Sequence, residues 1–575
     1  MMIFEHPLSW TDENIYNEIY KNSIDHNEQF WAHYKKYIDW KAEGITNVCY
    51  NCVDRHIKAL AHKPAIVWYG DEANERIELT YEDLYKMIIQ IAYILRRHNI
   101  KNGDVVGIYM PMIPEAIASM LACARIGAIH LVVFAGFSKQ SLNYRLTESK
   151  AKAVITVTSF KRGGKKIDLS KNIPSGIDVI NLDDVSYTAG ITDYIEWQNT
   201  DDDLFILYTS GTSGKPKAIT HSALPYMLYV ATTFKVIFGI RDDDVYFCTS
   251  DIGWITGHSY ITYAPLFYGL TNVIFSGSPT YPTADRYWTI IEKEKVSIFY
   301  TSPTAIRSLS TFNNDYVKRH DLSSLRVLGS VGEPINKSAW EWYFDIVGNK
   351  RCPIMDTWWQ TETGGIVLAP LRNLNQKPGV AGKPFFGICV DIAQNELTIK
   401  NKFPGLCKSL KLPYKTGDEA QYVNNDIKIN GRLDDVINIS GHRLSVTEFE
   451  NAISKLDAIK EVAVVAIPDE LKGQTAFVYI VLRYDNIETN VIVNTIITAT
   501  KTYIGAIAKP DYIAIVPDLP KTRSGKIMRK LLKDIATGNT EPLDTSSMQN
   551  PQIIEEIKHI SNDPIFCPDF CKIKC

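Results

Sequence analysis

The sequence has few cysteines and no excess of charge of either sign. Its 575 residues include only 10 cysteines, and 62 lysines and arginines stand against 65 aspartates and glutamates, giving a formal net charge of −3. So few thiols cannot form the disulfide framework of a small secreted scaffold. Because there is no basic excess, we expect neither nucleic acid nor a membrane surface to be a partner.

Long apolar runs and an N-terminal leader are also lacking. The longest apolar stretch, about residues 120–137, is interrupted by Arg125 and His130, so it is too short and too charged to span a bilayer. The first residues, MMIFEHPLSW, contain neither a basic segment nor a continuous apolar one. These features predict a cytoplasmic protein.

Two cysteine spacings invite comparison with metal sites. Cys49 and Cys52 form a C-x-x-C pair, and Cys567, Cys571 and Cys575 recur every fourth residue. A structural zinc site needs four good ligands, and neither group has an obvious complement. We therefore interpret these residues as reduced thiols and predict no metal ligand among them.

Short apolar runs alternate with helix-like segments from about residue 66 to residue 276. Residues 105–111 (VVGIYMP) have the pattern of a buried strand, and residues 114–127 have that of the helix after it. Residues 130–134 and 152–157 are further predicted strands. This alternation predicts an α/β fold with parallel-sheet layers.

The chain is long enough for at least two domains. A second α/β region begins near Gly431 and contains predicted strands at residues 461–468 and 476–482. After about Asn539 the sequence is polar and contains proline, which favours a flexible tail. We predict a large N-terminal domain, a small C-terminal domain and a tail, at residues 1–433, 434–540 and 541–575.

A glycine- and lysine-rich loop follows a predicted buried strand at residues 204–208. Its sequence, TSGTSGKPK at residues 209–217, lets backbone N–H groups converge and adds hydroxyl and ammonium donors, as an oligophosphate requires. The loop G-x-x-x-x-G-K-[ST] does not fit, because Thr209 replaces its first glycine and Pro216 its final hydroxyl residue. A flexible loop with incidental lysines stays an alternative.

Several motifs follow one another along the chain: YTSGTSGKPKAITHS, DIGWITGHSY, TSPTAIR, GSVGEPIN, DTWWQTETGG, YKTGDEA, GRLDDVINISGHRLS and PKTRSGKIMRK. In this order they resemble the adenylate-forming superfamily, and within it the acetyl-CoA synthetases, from about Glu28 to Lys530. The resemblance implies a large adenylate-forming domain and a small mobile C-terminal domain. It also implies a ligase that uses ATP, Mg²⁺ and CoA.

The implied reaction has two halves. A carboxylate attacks the α-phosphorus of ATP to give an acyl-adenylate and pyrophosphate, and the thiol of CoA then attacks the acyl carbon and releases AMP. In the first half, positioning and charge stabilisation should dominate. The resemblance assigns catalytic roles to Lys526, Thr212 and Arg443.

The resemblance places the ATP site in the glycine-rich loop and in four later motifs. Trp358 would supply an aromatic face for adenine, Thr361 would reach a phosphate, and Glu362 would be the oxygen ligand of magnesium. Two adjacent tryptophans before a turn are also typical of a packed core, which is the alternative. The implied ATP-binding residues are Thr209, Ser210, Gly211, Gly214, Lys215, Gly332, Glu333, Pro334, Asp356, Thr357, Trp358, Trp359, Gln360, Thr361, Asp418, Arg432 and Arg443.

The small domain carries the residues that would distinguish the two half-reactions. Lys526 is a movable positive charge suited to the α-phosphate, and a lysine acetylase and deacetylase are implied as enzymes that would act on it. Asp434 in GRLDD is the implied hinge, and Ser440 and Gly441 would shape the pantetheine channel. An exposed basic tail and an ordinary polar turn are the alternatives for these segments.

For CoA, the resemblance carries over to Arg162, Lys165, Thr256, Thr280 and Lys501, besides Ser440 and Gly441. Lys165 and Lys501 stand where arginine is usual, and Thr280 where asparagine is usual. Lysine keeps the charge but loses the bidentate fork on a phosphate. Two other departures are a shortened segment at residues 392–414 and Leu456, which stands where a cation-binding histidine is usual.

The implied acyl pocket is walled by Ile255, Thr256, Val331 and Trp359. An indole at the floor leaves room for a methyl or ethyl group, so acetate is the predicted substrate and propionate the alternative, because one methylene contributes only about 0.8 kcal/mol of burial. Two other functions stay open: a nucleotide-binding regulatory protein with a decayed site, and an enzyme that adenylates an acid for transfer to a carrier protein.

Overall fold

The computed structural model describes residues 9–185, 191–209, 216–335, 337–432, 436–484, 487–521, 527–539 and 551–566. Its contacts divide the chain into two compact units. The first unit comprises residues 1–135, 144–208 and 218–433, and the second unit comprises residues 136–143, 209–217 and 434–575.

A seven-stranded sheet forms one layer of the first unit. Its strands pair in parallel, except that the edge strand Arg76–Thr80 runs antiparallel to its neighbour. The six strands that pair in parallel are largely buried, as is typical of parallel strands covered on both faces. In spatial order the strands are Ile354–Asp356, Val327–Ser330, Ile298–Thr301, Val245–Cys248, Thr271–Phe275, Pro64–Tyr69 and Arg76–Thr80.

A six-stranded sheet forms a second layer, and it contains the strands predicted from the first half of the sequence. Four of its five pairings are parallel over their described registers. In spatial order the strands are Lys217–Ser222, Asp203–Thr209, Ile129–Val132, Val105–Tyr109, Ala153–Thr156 and Asp178–Asn181. The parallel-sheet layers expected from the alternating pattern are confirmed.

Smaller antiparallel elements complete the strands of the first unit. A four-stranded sheet consists of Val390–Ala393, Glu396–Ile399, Tyr414–Val423 and Asp426–Arg432. Its first turn, at Gln394 and Asn395, lies within the segment expected to be short. The two-stranded pairs are Ile45–Thr46 with Gln198–Asn199, Leu368–Ala369 with Lys383–Pro384, and Ser159–Arg162 with Lys165–Asp168.

Two of the longer helices begin or end at capping residues. Thr80 and Asp83 form a capping box at the start of Tyr81–Arg97, and Gly239 ends Ala223–Phe238 in the left-handed conformation. No described helix is long and apolar enough to cross a membrane. The α-helices up to residue 342 are Glu13–Asp25, Asn27–Tyr34, Arg55–Leu60, Tyr81–Arg97, Pro114–Arg125, Lys139–Glu148, Ala223–Phe238, Ile255–Gly257, Ala264–Phe267, Arg286–Glu294, Pro303–Ser310, Asp315–Lys318 and Lys337–Trp342.

Arg125, one of the charges that interrupt the apolar stretch, is fully buried. Its guanidinium donates to both oxygens of Asp54, at 2.8 and 2.9 Å, and pairs with Asp193 at 2.6 Å. It also contacts Cys49 Sγ at 3.7 Å, and Cys49 and Cys52 are both free, buried thiols. Burial raises the pKa of the Cys52 thiol to about 12, which keeps it protonated. The three C-terminal cysteines lie outside the described residues.

The second unit has a sheet with an apolar cluster on each face. Alternate residues of Ile459–Asp469 and Gly473–Leu482 point to opposite sides, as strand geometry requires. Helices Val446–Ile453 and Thr489–Tyr503 cover one face, and Leu456 packs there as an apolar residue. The other strands of the sheet are Val436–Ile439, His442–Ser445, Tyr512–Ile515 and Ile565–Phe566.

The packing on the other face of this sheet contradicts the expected flexible tail. Residues 541–575 were expected to form a flexible tail, but helix Ile554–Asn562 packs with helix Arg529–Ala536, and Ile565–Phe566 pairs with the sheet. Ile554 and Ile557 are buried in this face. The apolar residues recur at helical spacing within a polar segment, and they exclude water from a surface that would otherwise be exposed.

We predict that Ile557→Ala destabilises the second unit by about 2–5 kcal/mol, because it removes buried methyl groups and leaves a cavity. The exposed neighbour Glu556→Ala is the matched control and should change stability by less than about 0.5 kcal/mol. The measurement is thermal or urea unfolding of the full chain, monitored with a spectroscopic probe in the second unit, for both variants and wild type. Equal unfolding midpoints for the two variants would contradict the packed helix.

Candidate active site

The adenine-wall candidates follow two neighbouring parallel strands. In strands 327–330 and 354–356, Ser330 lies opposite Asp356, so both strands end at the same edge of the seven-stranded sheet. Gly332, Glu333 and Pro334 follow the first strand, and the segment from Asp356 to Thr361 begins at the end of the second. Ligands of open α/β sheets bind at this carboxyl edge. The structure therefore brings these two candidate segments side by side.

Glu333 is held by side chains of helix Pro303–Ser310. The motif of this helix, TSPTAIR, had no role assigned from the sequence. Arg307 Nη2 lies 2.6 Å from Glu333 Oε1, and the Thr304 hydroxyl donates to the same oxygen at 2.5 Å. Burial raises the pKa of Glu333, although the guanidinium of Arg307 opposes the shift. Gly332 has a φ of 102°, which a side chain would disfavour, so the turn after the strand requires glycine.

Asp356 and Thr357 continue the second strand. The Thr357 hydroxyl donates to the Ser330 carbonyl at 3.0 Å and lies 2.6 Å from the Tyr300 hydroxyl. Burial raises the pKa of Asp356 to about 7. The carboxyl group at the end of this strand is therefore partly protonated near neutral pH.

The two adjacent tryptophans are half-buried rather than enclosed in the core. Trp358 pairs its backbone with Leu368 in both directions, with both N–H···O distances at 3.0 Å. The Trp359 ring meets Tyr260 edge-on, with ring centroids 5.1 Å apart at an interplanar angle of 88°. Tyr260 lies in the helical turn that continues Ile255–Gly257. This contact links Trp359 to the segment that contains Ile255 and Thr256, two other acyl-pocket candidates. The fourth candidate, Val331, directly follows strand 327–330.

Gln360 joins the tryptophan segment to the four-stranded sheet. Its Nε2 donates to Asp418 Oδ2 at 2.5 Å and to the Thr416 carbonyl at 2.9 Å, while its Oε1 accepts from the Tyr414 hydroxyl at 2.7 Å. Asp418 is buried, and its residue position is paired with Arg432 in the antiparallel ladder. Both ribose candidates therefore lie on one rigid ladder, with the Asp418 carboxylate fixed by an amide. The side chain of Arg432 lies outside the described residues.

Glu362 has a feature expected of a cation ligand, a buried carboxylate oxygen without a hydrogen-bond partner among the described residues. It lies in the tight turn Thr361–Thr363, and no described residue bonds to its buried Oε2. No group of three or more His, Cys, Asp or Glu side chains among the described residues could hold a metal ion. Mg²⁺ bound with ATP typically takes one or two carboxylates, phosphate oxygens and water. One buried carboxylate with an unpaired oxygen fits that ligand set.

His221 fixes the turn that carries Glu362. Its Nε2 lies 2.7 Å from the Thr361 carbonyl oxygen, which can only accept, so Nε2 carries the proton. Burial lowers the pKa of His221 to about 4, and the ring is therefore neutral at physiological pH. Strand 217–222, which follows the glycine-rich loop, is thereby connected to the predicted phosphate and magnesium residues.

The CoA candidates are divided between the two units. In the first unit, Arg162 and Lys165 are opposite each other in a hairpin, Thr256 is buried, and the Thr280 hydroxyl lies 3.4 Å from that of Ser278. In the second unit, Ser440 and Gly441 form the turn between strands 436–439 and 442–445, with φ values of 54° and 79°, and Lys501 is exposed on helix Thr489–Tyr503. Arg443 follows that turn in strand 442–445.

Several predicted residues lie outside the described part of the chain. Thr209 ends strand 203–209, but the rest of the glycine-rich loop, the hinge and the catalytic lysine are not described. The undescribed candidates are Ser210, Gly211, Thr212, Gly214, Lys215, Asp434 and Lys526. Their assignments stay predictions from the sequence.

Sequence reasoning missed residues that hold the site without being candidates themselves. Arg307, His221, Tyr260 and Tyr414 fix Glu333, Thr361, Trp359 and Gln360, respectively. Each of the four lies inside a motif already recognised: TSPTAIR, YTSGTSGKPKAITHS, DIGWITGHSY and YKTGDEA. Membership of a motif was therefore the available signal, and their contacts needed the fold.

Comparison with known proteins gives the class to which this fold and site belong. Residues 53–402 match the family described as AMP-binding enzyme, and residues 448–526 match the AMP-binding enzyme C-terminal domain. The chain belongs to the AMP-binding enzyme family.

Curated relatives within that class extend over nearly the whole chain. The chain is 41% identical to acetyl-coenzyme A synthetase from Bradyrhizobium diazoefficiens over 625 residues, covering 96% of each chain. The proteins of the same name from Xanthobacter autotrophicus and Mesorhizobium japonicum are 41% and 40% identical, covering 96% and 95% of this chain and 96% of each relative. The alignments are longer than this chain, so some segments of the relatives have no counterpart here.

The titration of Asp356 predicts a pH-dependent stability. A carboxyl pKa raised from 3.8 to about 7 means that the folded protein holds this proton more tightly than the unfolded chain. The stabilisation is complete below about pH 4 and is lost as the pH rises through 7. Asp356→Asn stays neutral, so its stability relative to wild type should rise between pH 5 and pH 8.5 by about 3 kcal/mol, with most of the rise below pH 7.

Thermal unfolding of the nucleotide-free proteins across this pH range measures the effect. The exposed residue Asp345 provides a control, because Asp345→Asn should follow the wild-type profile at every pH. Parallel profiles for Asp356→Asn and wild type would show that the carboxyl group is not held neutral.

Proposed function

We propose that this chain is an AMP-forming acetate–CoA ligase. The observation that carries the proposal is the buried Glu362 carboxylate, one oxygen of which accepts no hydrogen bond from any described residue, two residues after an amide that fixes Asp418. Such a pair suits a magnesium–nucleotide ligand, with the cation at Glu362 and the ribose hydroxyls at Asp418. The similarity to acetyl-coenzyme A synthetases supports acetate and CoA as the other substrates.

In the first half-reaction, an acetate oxygen attacks the α-phosphorus of ATP and pyrophosphate leaves. The glycine-rich loop and Thr361 hold the phosphates by hydrogen bonds, and Lys526 stabilises negative charge on the α-phosphate. Trp358, Glu333 and the neighbouring strand ends hold adenine, while Asp418 holds the ribose. Mg²⁺, when bound at Glu362, neutralises phosphate charge.

In the second half-reaction, the CoA thiol attacks the acyl carbon and the carbon–oxygen bond to AMP breaks. Arg162, Lys165 and Lys501 provide positive charge for the CoA phosphates. Ser440 and Gly441 form the channel for the pantetheine arm. Asp434 serves as the hinge for the conformational change between the half-reactions. Arg443 acts in the conformation in which the thioester forms. Thr256 and Thr280 complete the CoA contacts.

Acetate is favoured over longer acids because Trp359 is braced by Tyr260. An indole held edge-on against a buried ring cannot easily move aside for a longer chain. Together with Ile255, Thr256 and Val331 it leaves a small acyl site. Propionate is the second candidate, since one methylene changes the free energy by only about 0.8 kcal/mol.

The proposal implies further partners. Both co-substrates, ATP and CoA, are supplied in the cytoplasm, which is where we place the reaction. A lysine acetylase would inactivate the enzyme by neutralising Lys526, and a deacetylase would restore it, because acetylation removes the positive charge.

One assay tests the proposal as a whole. The purified protein, given ATP, Mg²⁺ and labelled pyrophosphate, should catalyse exchange only when acetate is added, and should form acetyl-CoA when CoA follows. Removal of Mg²⁺ by EDTA should stop the exchange. Exchange without thioester formation would indicate transfer to another acceptor, and binding of ATP without exchange would indicate a regulatory nucleotide-binding protein.

Lys526→Ala should abolish acetate-dependent exchange while leaving conversion of supplied acetyl-adenylate and CoA largely intact. Its charge is required only where negative charge develops at the α-phosphate. Lys530→Ala, which removes an exposed charge four residues later in the sequence, is the control and should retain both activities. Equal loss of both half-reactions in Lys526→Ala would assign the residue a structural role.

Trp359→Ala should extend activity to butyrate and longer acids and reduce it with acetate. Each methylene buried in the space left by the indole contributes about 0.8 kcal/mol, and a methyl group without a wall loses its fixed position. The measurement is kcat/KM for straight-chain acids of increasing length. Trp342→Ala, on a helix away from these residues, controls for general loss of packing. A folded Trp359→Ala that still rejects longer acids would remove Trp359 from the pocket.

A further inference from the structure

The hairpin that carries Arg162 and Lys165 is held at its tip by a buried carboxylate. Strands Ser159–Arg162 and Lys165–Asp168 are joined by Gly163 and Gly164. The Gly163 N–H donates to Asp71 Oδ1 at 2.8 Å, and the Gly164 N–H donates to Asp71 Oδ2 at 2.7 Å. Asp71 is only 1% exposed. Each carboxylate oxygen therefore receives one backbone hydrogen bond from the tip.

The tip conformation makes this double contact possible. Gly163 and Gly164 have φ values of 59° and 74°, the left-handed region in which glycine costs least. In that conformation the two successive N–H groups point the same way, and they form a concave site for an anionic group. Here the anion is a side chain of the protein itself, so the turn is occupied and its direction is fixed.

Apart from Asp71, the hairpin is supported by a long ion pair, with Lys161 Nζ 3.7 Å from Glu75 Oε1 at an exposed position. Its residues from Arg162 to Lys166 are exposed, and it pairs with no other described strand. An isolated two-stranded hairpin is marginally stable in water. The contact with Asp71 is therefore a main determinant of where the two basic side chains lie.

Asp71 is itself held in place by an arginine. The Arg286 guanidinium, 4% exposed, donates to the carbonyl oxygens of Gly70, Glu72 and Ala73 at 3.1, 2.7 and 3.3 Å. These three carbonyls belong to the turn between strands Pro64–Tyr69 and Arg76–Thr80. A rigid turn therefore presents the Asp71 carboxylate to the hairpin.

The same turn also contacts the segment of a second CoA candidate. The Tyr281 hydroxyl donates to Glu72 at 3.3 Å, and Tyr281 directly follows Thr280. A Cβ added to Gly164 would lie 3.0 Å from the Tyr281 hydroxyl, so the tyrosine also packs on the hairpin tip. Two separate candidate segments are thus positioned by one turn.

We propose that Asp71 is a positioning residue for CoA, which sets the place of Arg162 and Lys165 through the hairpin tip. Arg162 and Lys165 are directly opposite in the ladder, so a fixed tip aims both charges at one phosphate-bearing ligand. A hairpin that must be ordered by the ligand instead would weaken CoA binding by that ordering cost. The inference rests on the proposed function, because it takes CoA as the ligand.

The test compares Asp71→Asn and Asp71→Ala in the full-length protein. Asn keeps one acceptor oxygen and Ala keeps none, so the KM for CoA should rise about 10-fold and about 100-fold, respectively. Acetate-dependent pyrophosphate exchange should stay within about twofold of wild type, because it does not use CoA. Asp183→Asn is the matched control: its carboxylate accepts the Thr158 N–H at 2.7 Å, at the base of the hairpin, and its KM for CoA should not change.

Pantetheine, which lacks the CoA phosphates, separates positioning from a general defect. Wild type and Asp71→Ala should share one KM for pantetheine, because Arg162 and Lys165 have no phosphate to hold. An equal rise for pantetheine and CoA, or an unchanged KM for CoA in folded Asp71→Ala, would overturn the inference. Failure of the proposed function is distinguishable, because wild type itself would then form no thioester.

A second variant covers the outcome in which Asp71→Ala does not fold. Gly163→Ala introduces a Cβ that meets no atom within 4 Å, but at a φ of 59° it strains the tip. It should raise the KM for CoA without affecting pyrophosphate exchange, and Gly163→Asn should do so less, since asparagine tolerates this conformation. Wild-type KM values for CoA in both glycine variants would also overturn the inference.

Discussion

The carboxamide of Gln360 is the interaction on which the arrangement of the first unit's site depends. It uses its amide hydrogens on the Asp418 carboxylate and a carbonyl of the same strand, and its oxygen on a tyrosine hydroxyl. One side chain thereby fixes the end of a parallel sheet relative to an antiparallel one. A hydrogen-bonded amide inside the protein is costly to leave unpaired, so this junction has a single favourable geometry.

Buried guanidinium groups perform a similar task at three other places. Arg125, Arg286 and Arg307 are 1, 4 and 6% exposed, and each binds groups from a distant part of the chain. The planar group offers several donors in fixed directions, so one arginine can hold a whole turn. In each case the charge is satisfied by carboxylates or carbonyls, which offsets the cost of removing it from water.

Much of this architecture could be predicted from the sequence, because strands and glycine-rich turns are local features. The buried strand at 105–109 and the helix from Pro114 follow from apolar runs and a proline at the helix start. Hydrogen bonds between distant segments could not be predicted. The Gln360–Asp418 contact and the Glu333–Arg307 contact join residues whose proximity depends on the complete sheets. The motifs identify Gln360, Asp418 and Glu333 as candidates, but they indicate neither the role of Arg307 nor the contacts among these residues.

The helix at 554–562 shows a different kind of failure. Its polar composition favoured a tail, yet the isoleucines at 554 and 557 have helical spacing, and the signal was present in the sequence. A short amphipathic helix is stabilised by the surface that it covers rather than by its own propensity, so the composition of the segment alone does not reveal it.

The occupied tip of the Arg162–Lys165 hairpin has a consequence for how this enzyme can be altered. Two backbone N–H groups at the tip donate to the two oxygens of the Asp71 carboxylate. The tip must therefore have the length that brings both N–H groups to this one side chain. The basic residues along the arms are exposed, and Lys161 makes only a long ion pair with Glu75. Sequence drift or engineering can therefore exchange charges on the arms, as the lysine at position 165 already illustrates, but an inserted or deleted residue would misalign the tip. We therefore expect related proteins to conserve the length of this hairpin more strictly than the residues on its arms.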